Sequence, residues 1–368
     1  MIWAVLVDQI LQTAHSETDH FAVIARRMHA NESADRRPTA GSTAPRLFKR
    51  QRPEEAPVTA KSAALFRFGE QCNNHCPMCS NTGEAALFFH STEELLRRAA
   101  FLHSRGFKRA VVTGGEATIH PGFWTVIERL AALGLVWDAN THGRSFSRPG
   151  FAQRAVETGL KRAIVSLHSF DPATSAAIFG ADENAHAETV AGIDRLVDAG
   201  IGVMLNCVMT ELNRSGLEAY LLEGAQRYGR RVAFKFVFPS TIGKGGRWPG
   251  IAALRYRDVR ESVQHLRAVA AEMSLRLFFE SFPHCVVQDP DALNLGRSAF
   301  GETHYLDDAT GDRVYSMRHI EAELSAFAEA CRQCAALRRC AGVSVDYARR
   351  YGVGELTPFP LRNPASST

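Results

Sequence analysis

Glu70-Gln71-Cys72-Asn73-Asn74-His75-Cys76-Pro77-Met78-Cys79-Ser80-Asn81 is the stretch that decides how this chain is read. Its three cysteines are spaced C-x3-C-x2-C. Four thiolates close the shell of a 4Fe-4S cluster, whereas three leave one iron without a protein ligand. An open iron binds a small molecule, as the open position of a catalytic zinc does. The spacing therefore points to a reactive cluster rather than a sealed electron carrier.

A second element follows a few dozen residues later. An apolar run, Ala110-Val111-Val112, ends in Thr113-Gly114-Gly115-Glu116. Two adjacent glycines let a backbone approach a ligand closely, and a carboxylate accepts hydrogen bonds from an ammonium. The cysteine spacing and the Gly-Gly-Glu element, in this order, resemble the radical S-adenosylmethionine (radical SAM) superfamily. The resemblance implies that Cys72, Cys76 and Cys79 ligate a 4Fe-4S cluster whose open iron chelates SAM. It also implies that Gly114, Gly115 and Glu116 receive the methionine ammonium. In the family the residue before the third cysteine is usually aromatic and packs near the adenine. Here it is Met78, whose thioether still covers a base.

From Ala63 the chain alternates apolar runs with helical periodicity. The strand-like runs are Ala64–Gly69, Arg109–Thr113, Leu135–Asn140, Ala163–His168, Val203–Met209 and Val232–Phe238. The helix-like stretches are Thr92–Ser104, Phe123–Leu133, Gly150–Thr158, Ala185–Ala199 and Leu217–Tyr228. Gly106, Gly134, Gly159, Gly200 and Gly229 stand soon after their ends, as helix C-caps do. Successive β-α units imply a parallel sheet with crossover helices. The fold expected is α/β, a partial (β/α)6 TIM-like barrel with a small C-terminal cysteine-rich auxiliary-cluster domain. Residues 1–60 read as a partly flexible N-terminal extension, 61–250 as the barrel and 251–368 as the auxiliary domain. Sites in such barrels sit at the C-terminal ends of the strands, so the cysteine loop and Gly-Gly-Glu share a rim.

Other strand ends are polar. The resemblance implies that Ser166 and Asn206, on strands four and five, bond the ribose and carboxylate of SAM; a satisfied strand hydroxyl or amide is the alternative for each. His142 and His168 are acid–base candidates by residue type, against the commoner structural role. Lys235 is read as a substrate contact or an ion-pair member, and Cys207 as a small buried apolar residue.

Four further cysteines lie near the end: Cys285, then Cys331, Cys334 and Cys340 in a C-x2-C-x5-C run. Four thiolates seal a second 4Fe-4S cluster or hold a structural zinc. His284 is a candidate ligand or supporting donor. The run resembles the auxiliary-cluster extensions of radical SAM enzymes. The two-cluster form continues with a further cysteine where this chain has Ser344, so the shortened, one-cluster (twitch) form is expected.

Composition narrows the class. The chain has 368 residues, of which 45% are hydrophobic, enough for one large domain and a smaller one. The net charge of +4 argues against a dedicated nucleic-acid binder. Seven of eight cysteines fall into two ligand-like groups, unlike a secreted disulfide framework. The start has no basic n-region and meets Asp8 early, so no signal peptide is expected. No stretch reaches the length of a membrane span. The expected setting is cytoplasmic.

The function implied is reductive cleavage of SAM to a 5′-deoxyadenosyl radical that abstracts hydrogen from a substrate. The outcome would be oxidation, cross-linking or epimerisation of a small polar metabolite or a ribosomal peptide. An electron donor such as flavodoxin or ferredoxin is the partner expected. The tail is also similar to that of the molybdenum-cofactor enzymes that cyclise GTP. Those end in Gly-Gly and this chain ends Asn-Pro-Ala-Ser-Ser-Thr, so that activity is set aside. The rival class is a non-catalytic zinc or Fe–S carrier, with His75 completing the first site.

Overall fold

The computed structural model describes residues 47–49, 57–59, 61–79, 88–239, 253–289, 302–307 and 310–361. Most of the N-terminal extension and the exit of the sixth barrel strand through Ser240–Gly243 lie outside them.

A short strand β1 (Leu47–Phe48) precedes the repeating units. These run β2 (Ala63–Arg67), α1 (Thr92–Ser104), β3 (Arg109–Thr113), α2 (Phe123–Ala132), β4 (Val136–Thr141), α3 (Phe151–Glu157) and β5 (Leu160–Ser166). They continue through α4 (Pro172–Phe179), α5 (Glu183–Asp198), β6 (Gly202–Val208), α6 (Leu217–Tyr228), β7 (Val232–Val237), α7 (Tyr256–Glu272) and β8 (Arg276–Glu280). The remainder is α8 (His284–Val287), β9 (Thr303–Leu306), β10 (Val314–Ser316), α9 (Met317–Leu324), β11 (Ser325–Ala328), β12 (Val343–Ser344) and α10 (Val345–Tyr351).

Local chemistry explains the punctuation. Ser91 caps α1 by accepting from the Glu94 amide at 3.1 Å. The five glycines after the helices all have positive φ, between 58° and 94°, the left-handed region that glycine enters without strain. α4 was not anticipated in the sequence; Asp171 caps it and Pro172 opens it.

The main sheet has nine strands in the order β10-β9-β2-β3-β4-β5-β6-β7-β8. All neighbours from β9 to β8 are parallel, and β10 is antiparallel on one edge. This is the open, partial α/β barrel expected. The expectation undercounts its strands, because β8, β9 and β10 come from beyond residue 250 and pair along both edges of the β2–β7 core. Pairing there satisfies backbone groups that an edge leaves open. A separate three-stranded sheet, β1-β11-β12, carries the C-terminal cysteine region.

Alternation along the strands divides the sheet into two faces. Phe66, Val112, Ala139, Val165, Leu205, Phe234 and Phe236 belong to the core cluster shared with the helices. Their sequence neighbours therefore line the inner face. Near the N-terminal ends of the strands that face carries Asp138, fully buried between Arg109 (2.8 Å) and Arg162 (2.9 Å). A buried carboxylate between two guanidiniums forms a charged floor. Asp138→Ala strands two arginines that still reach solvent through a third of their surface. The expected loss is about 3 kcal/mol of unfolding free energy, read by urea denaturation.

Candidate functional site

The cysteine loop leaves β2 at the C-terminal rim. Two adjacent strands continue pairing past their regular ends to hold its entrance. Gly115 N–H donates to Gly69 O at 2.9 Å and Glu116 N–H to Gln71 O at 2.8 Å. A Cβ on Gly115 would stand 2.2 Å from Gln71 O and 2.3 Å from Glu70 O; one on Gly114 would stand 2.6 Å from Gly69 O. Gly114 also has φ +139°. The two glycines thus let one backbone pass against another, bringing the two sequence motifs into direct contact.

Glu116 is buried and turned into the protein. One carboxylate oxygen accepts from Thr118 N (3.2 Å), Thr118 Oγ1 (2.6 Å) and Thr141 Oγ1 (2.9 Å). The other accepts from Thr141 Oγ1 (3.0 Å) and His142 N (2.8 Å). A carboxylate offers about four lone-pair sites, so its acceptor capacity is taken up internally. Glu116 acts here as a post for the turn after β4, a role the sequence reading did not give it.

That turn grips the cysteine loop. His142 Nδ1 accepts from the Arg144 amide at 3.2 Å, which leaves Nε2 protonated, and Nε2 donates to Asn73 Oδ1 at 2.6 Å. Burial pushes the His142 pKa down, the Glu116 charge opposes this and Arg144 adds to it, so the ring is neutral at pH 7. Arg144 donates to Asn73 O (3.1 Å), to Asn74 Oδ1 (2.9 Å) and, through Nε, to Glu188 (2.5 Å). A third anchor comes from the far side, where His75 N–H donates to Phe179 O at 2.8 Å. None of Asn73, Asn74, Arg144, Thr141 and Glu188 was singled out in the sequence. Their contacts span 25 to 71 positions, and no local spacing announces them.

Within the loop Cys72, Cys76 and Cys79 are each partly exposed and in no disulfide. Asn74 N–H points at Cys72 Sγ, 3.4 Å away. Met78 is buried and His75 exposed. Asn73 and Arg144 also wall a groove of about 810 Å³ with Trp124, Arg148 and Phe151.

Across the inner face, Ser166, Asn206 and Lys235 are register partners on β5, β6 and β7 and form one polar row. Lys235 Nζ lies 2.7 Å from Glu280 Oε2, a nearly buried ion pair. His168 lies two residues beyond the end of β5. Its Nδ1 accepts from Val208 N–H at 3.2 Å, and burial, only partly offset by a backbone contact at Asn206, pushes its pKa down to about 4. A neutral, enclosed ring is a structural histidine. Cys207 is buried and its thiol pKa is raised by desolvation, as a small core residue's is.

The four C-terminal cysteines come from separate elements. Cys285 sits in α8, Cys331 in the 3-10 turn Glu329–Gln333, Cys334 at its end and Cys340 beyond. Burial pushes the Cys285 thiol up to about 11, with Cys340 and Cys331 pushing in the same direction. Cys331 is raised by burial and by Cys340 and Cys334. Gly342 N–H points at Cys340 Sγ, 3.3 Å away. Among the described residues no three His, Cys, Asp or Glu side chains are gathered tightly enough for one metal ion. Among them, too, no helix is long and apolar enough to cross a membrane.

An open parallel α/β barrel with a three-cysteine loop and Gly-Gly-Glu paired at one rim defines a class. Residues 66–221 match the family described as the radical SAM superfamily, so this part of the chain carries a radical SAM domain. That family uses a 4Fe-4S cluster and SAM. The chain is 26% identical over 178 residues to a probable GTP 3′,8-cyclase of Pyrobaculum aerophilum, covering 47% of this chain and 57% of that protein. It is 30% identical over 151 residues to the GTP 3′,8-cyclase of Acaryochloris marina, covering 38% and 45%. The matches thus span about half the length of these curated relatives. Among solved structures, Streptococcus suis SuiB bound to precursor peptide SuiA gives a TM-score of 0.49 at 12% identity, covering 73% of this chain and 56% of that one. Native anSMEcpe with bound AdoMet gives 0.46 at 12%, covering 59% and 63%.

Two outcomes follow. Gly115→Ala forces apart the pairing at the loop entrance; we expect a loss of about 2 kcal/mol and a marked fall in iron retained at the first site, read by iron assay. For His168 the unfolded ring titrates near 6.5 and the folded ring near 4. Between these values the unfolded chain binds more protons, so stability is fully present above pH 6.5 and falls as pH drops toward 4, by about 3 kcal/mol in all. His168→Gln should flatten that part of the urea-midpoint profile.

Proposed function

We propose that the chain is an enzyme that cleaves SAM reductively at a cluster held by Cys72, Cys76 and Cys79. The 5′-deoxyadenosyl group so released takes hydrogen from a polar substrate, a small metabolite or a peptide. The observation that carries this reading is the backbone pairing of Gly69–Gln71 with Gly115–Glu116, which sets the cysteines beside the Gly-Gly element on one rim. The residues fit a cluster. Three partly exposed thiols share a short loop, one already receives an N–H bond, and the Asn74 amide nitrogen is buried with no partner among the described residues.

When bound, the cluster supplies the electron that breaks a sulfonium C–S bond of SAM into methionine and a 5′-deoxyadenosyl radical. The chain's own part is to hold, orient and exclude water. The Gly114-Gly115 backbone is the surface we assign to the methionine end of SAM, and Met78 to the adenine. Glu116, its oxygens occupied, supports this site from behind. Ser166 and Asn206 supply hydrogen bonds to the bound cofactor, and the Lys235–Glu280 pair gives the inner face a polar end suited to a charged substrate. Cys285, Cys331, Cys334 and Cys340 would hold an auxiliary 4Fe-4S cluster, which would supply a one-electron acceptor for the substrate. Flavodoxin or ferredoxin would supply the electron at the first site.

A second reading has one observation behind it: curated relatives that match are GTP 3′,8-cyclases. On that reading the polar substrate is GTP and the product a cyclised nucleotide. Reconstituted protein incubated with SAM, dithionite and GTP distinguishes the two by mass analysis of the nucleotide.

In the same assay Cys76→Ala should lower 5′-deoxyadenosine formation at least about a hundredfold, the upper end of what losing a mere outer-shell partner of a ligand costs. Cys334→Ala should leave cleavage within a few fold of wild type and abolish product. Normal cleavage by Cys76→Ala would exclude the site assignment and favour a non-catalytic metal protein.

A further inference from the structure

We infer that Arg144 is a positioning residue that fastens the cysteine loop and, through its charge, raises the reduction potential of the cluster the loop holds. This rests on the proposed function and deepens it, since the potential decides how readily SAM can be cleaved.

The Arg144 guanidinium works as a fork. One edge donates to Glu188 at 2.5 Å, and Nη1 donates both to Asn73 O (3.1 Å) and to Asn74 Oδ1 (2.9 Å). Arginine has no acceptor, so it fixes which Asn74 atom faces it and turns the Asn74 amide nitrogen elsewhere. That nitrogen is buried and has no partner among the described residues, and the Asn74 backbone N–H already points at Cys72 Sγ at 3.4 Å. The positive charge therefore stands two hydrogen bonds from a thiolate ligand, on the side chain that orients the residue between Cys72 and Cys76. Hydrogen bonds to sulfur and local net charge both set cluster potentials. A cation stabilises the reduced, more negative cluster.

Glu188 has the opposite sign. Its side chain is 44% exposed against 19% for Arg144, so solvent screens the carboxylate more than the guanidinium. Of the two charges the guanidinium is the less screened, so its effect at the loop is weakened by Glu188 but not cancelled. Glu188 is the residue that makes the inference separable from simple scaffolding, because removing it should move the potential the other way.

The test is an EPR-monitored redox titration of the reconstituted full chain, following the reduced-cluster signal that changes on adding SAM. Arg144→Gln should raise the oxidised-to-reduced ratio at a fixed solution potential about tenfold, a shift of about 59 mV to lower potential for one electron. Glu188→Gln should shift the midpoint upward. Arg144→Lys keeps the charge and loses the fork, so its potential should stay near wild type while iron is lost faster to a chelator. Midpoints that do not move, or that move the same way in Arg144→Gln and Glu188→Gln, overturn the inference. If no signal responds to SAM in the wild-type chain, the proposed function fails first and this inference with it.

Discussion

Everything at the rim depends on one close approach of two backbones. β2 and β3 go on pairing beyond their regular ends only because Gly114 and Gly115 present no side chain to Gly69, Glu70 and Gln71. A methyl group at Gly115 would occupy the same space as two carbonyl oxygens. With the strands that close, the chain leaving Gln71 has its direction fixed before the first cysteine. The loop is then short enough to be held from its sides by the turn after β4 and the end of α4. In this fold the glycines serve geometry first, and whatever binds there meets a surface already set.

Polar groups are concentrated where that geometry needs them. Glu116 and Thr141 under the turn after β4, the Ser166–Asn206–Lys235 row and Glu280 are all paired or aligned on the inner face or beneath the rim. Buried polar groups are costly unless partnered, so a network of this density marks a place where shape is being specified as well as stability. The neutral state of His142 belongs to the same logic. Between Glu116, Arg144 and Asn73 the ring is a spacer with one fixed donor and one fixed acceptor, and a proton added at Nδ1 would cost it the bond from the Arg144 amide.

The alternation of strands and helices was legible in the sequence because each unit writes its own ending. Arg109–Thr113, Thr92–Ser104 and Leu217–Tyr228 fall where periodicity puts them, and the capping glycines adopt the positive φ their positions demand. The cysteine groups were legible because a cluster imposes spacing on the chain. What escaped was long-range. Nothing near Arg144 in sequence says that it reaches back some 70 positions to Asn73 and Asn74, and nothing near Glu116 says that threonines and a histidine will use up its oxygens. Leu275–Phe279 reads as strand-like, where β8 lies, but that β8 to β10 join the main sheet escaped for a related reason, since a strand's membership in a sheet is decided by what it pairs with and not by its own composition.

The central claim is that three cysteines, and no fourth protein ligand, hold a cluster whose remaining iron takes SAM. Mössbauer spectroscopy of protein reconstituted with 57Fe, recorded with and without SAM, addresses it most directly. The account predicts that SAM alters the parameters of a single iron site belonging to the Cys72–Cys76–Cys79 cluster and leaves the other sites as they were. Spectra that stay the same while SAM is bound, or that show every iron fully ligated by the protein beforehand, would contradict it.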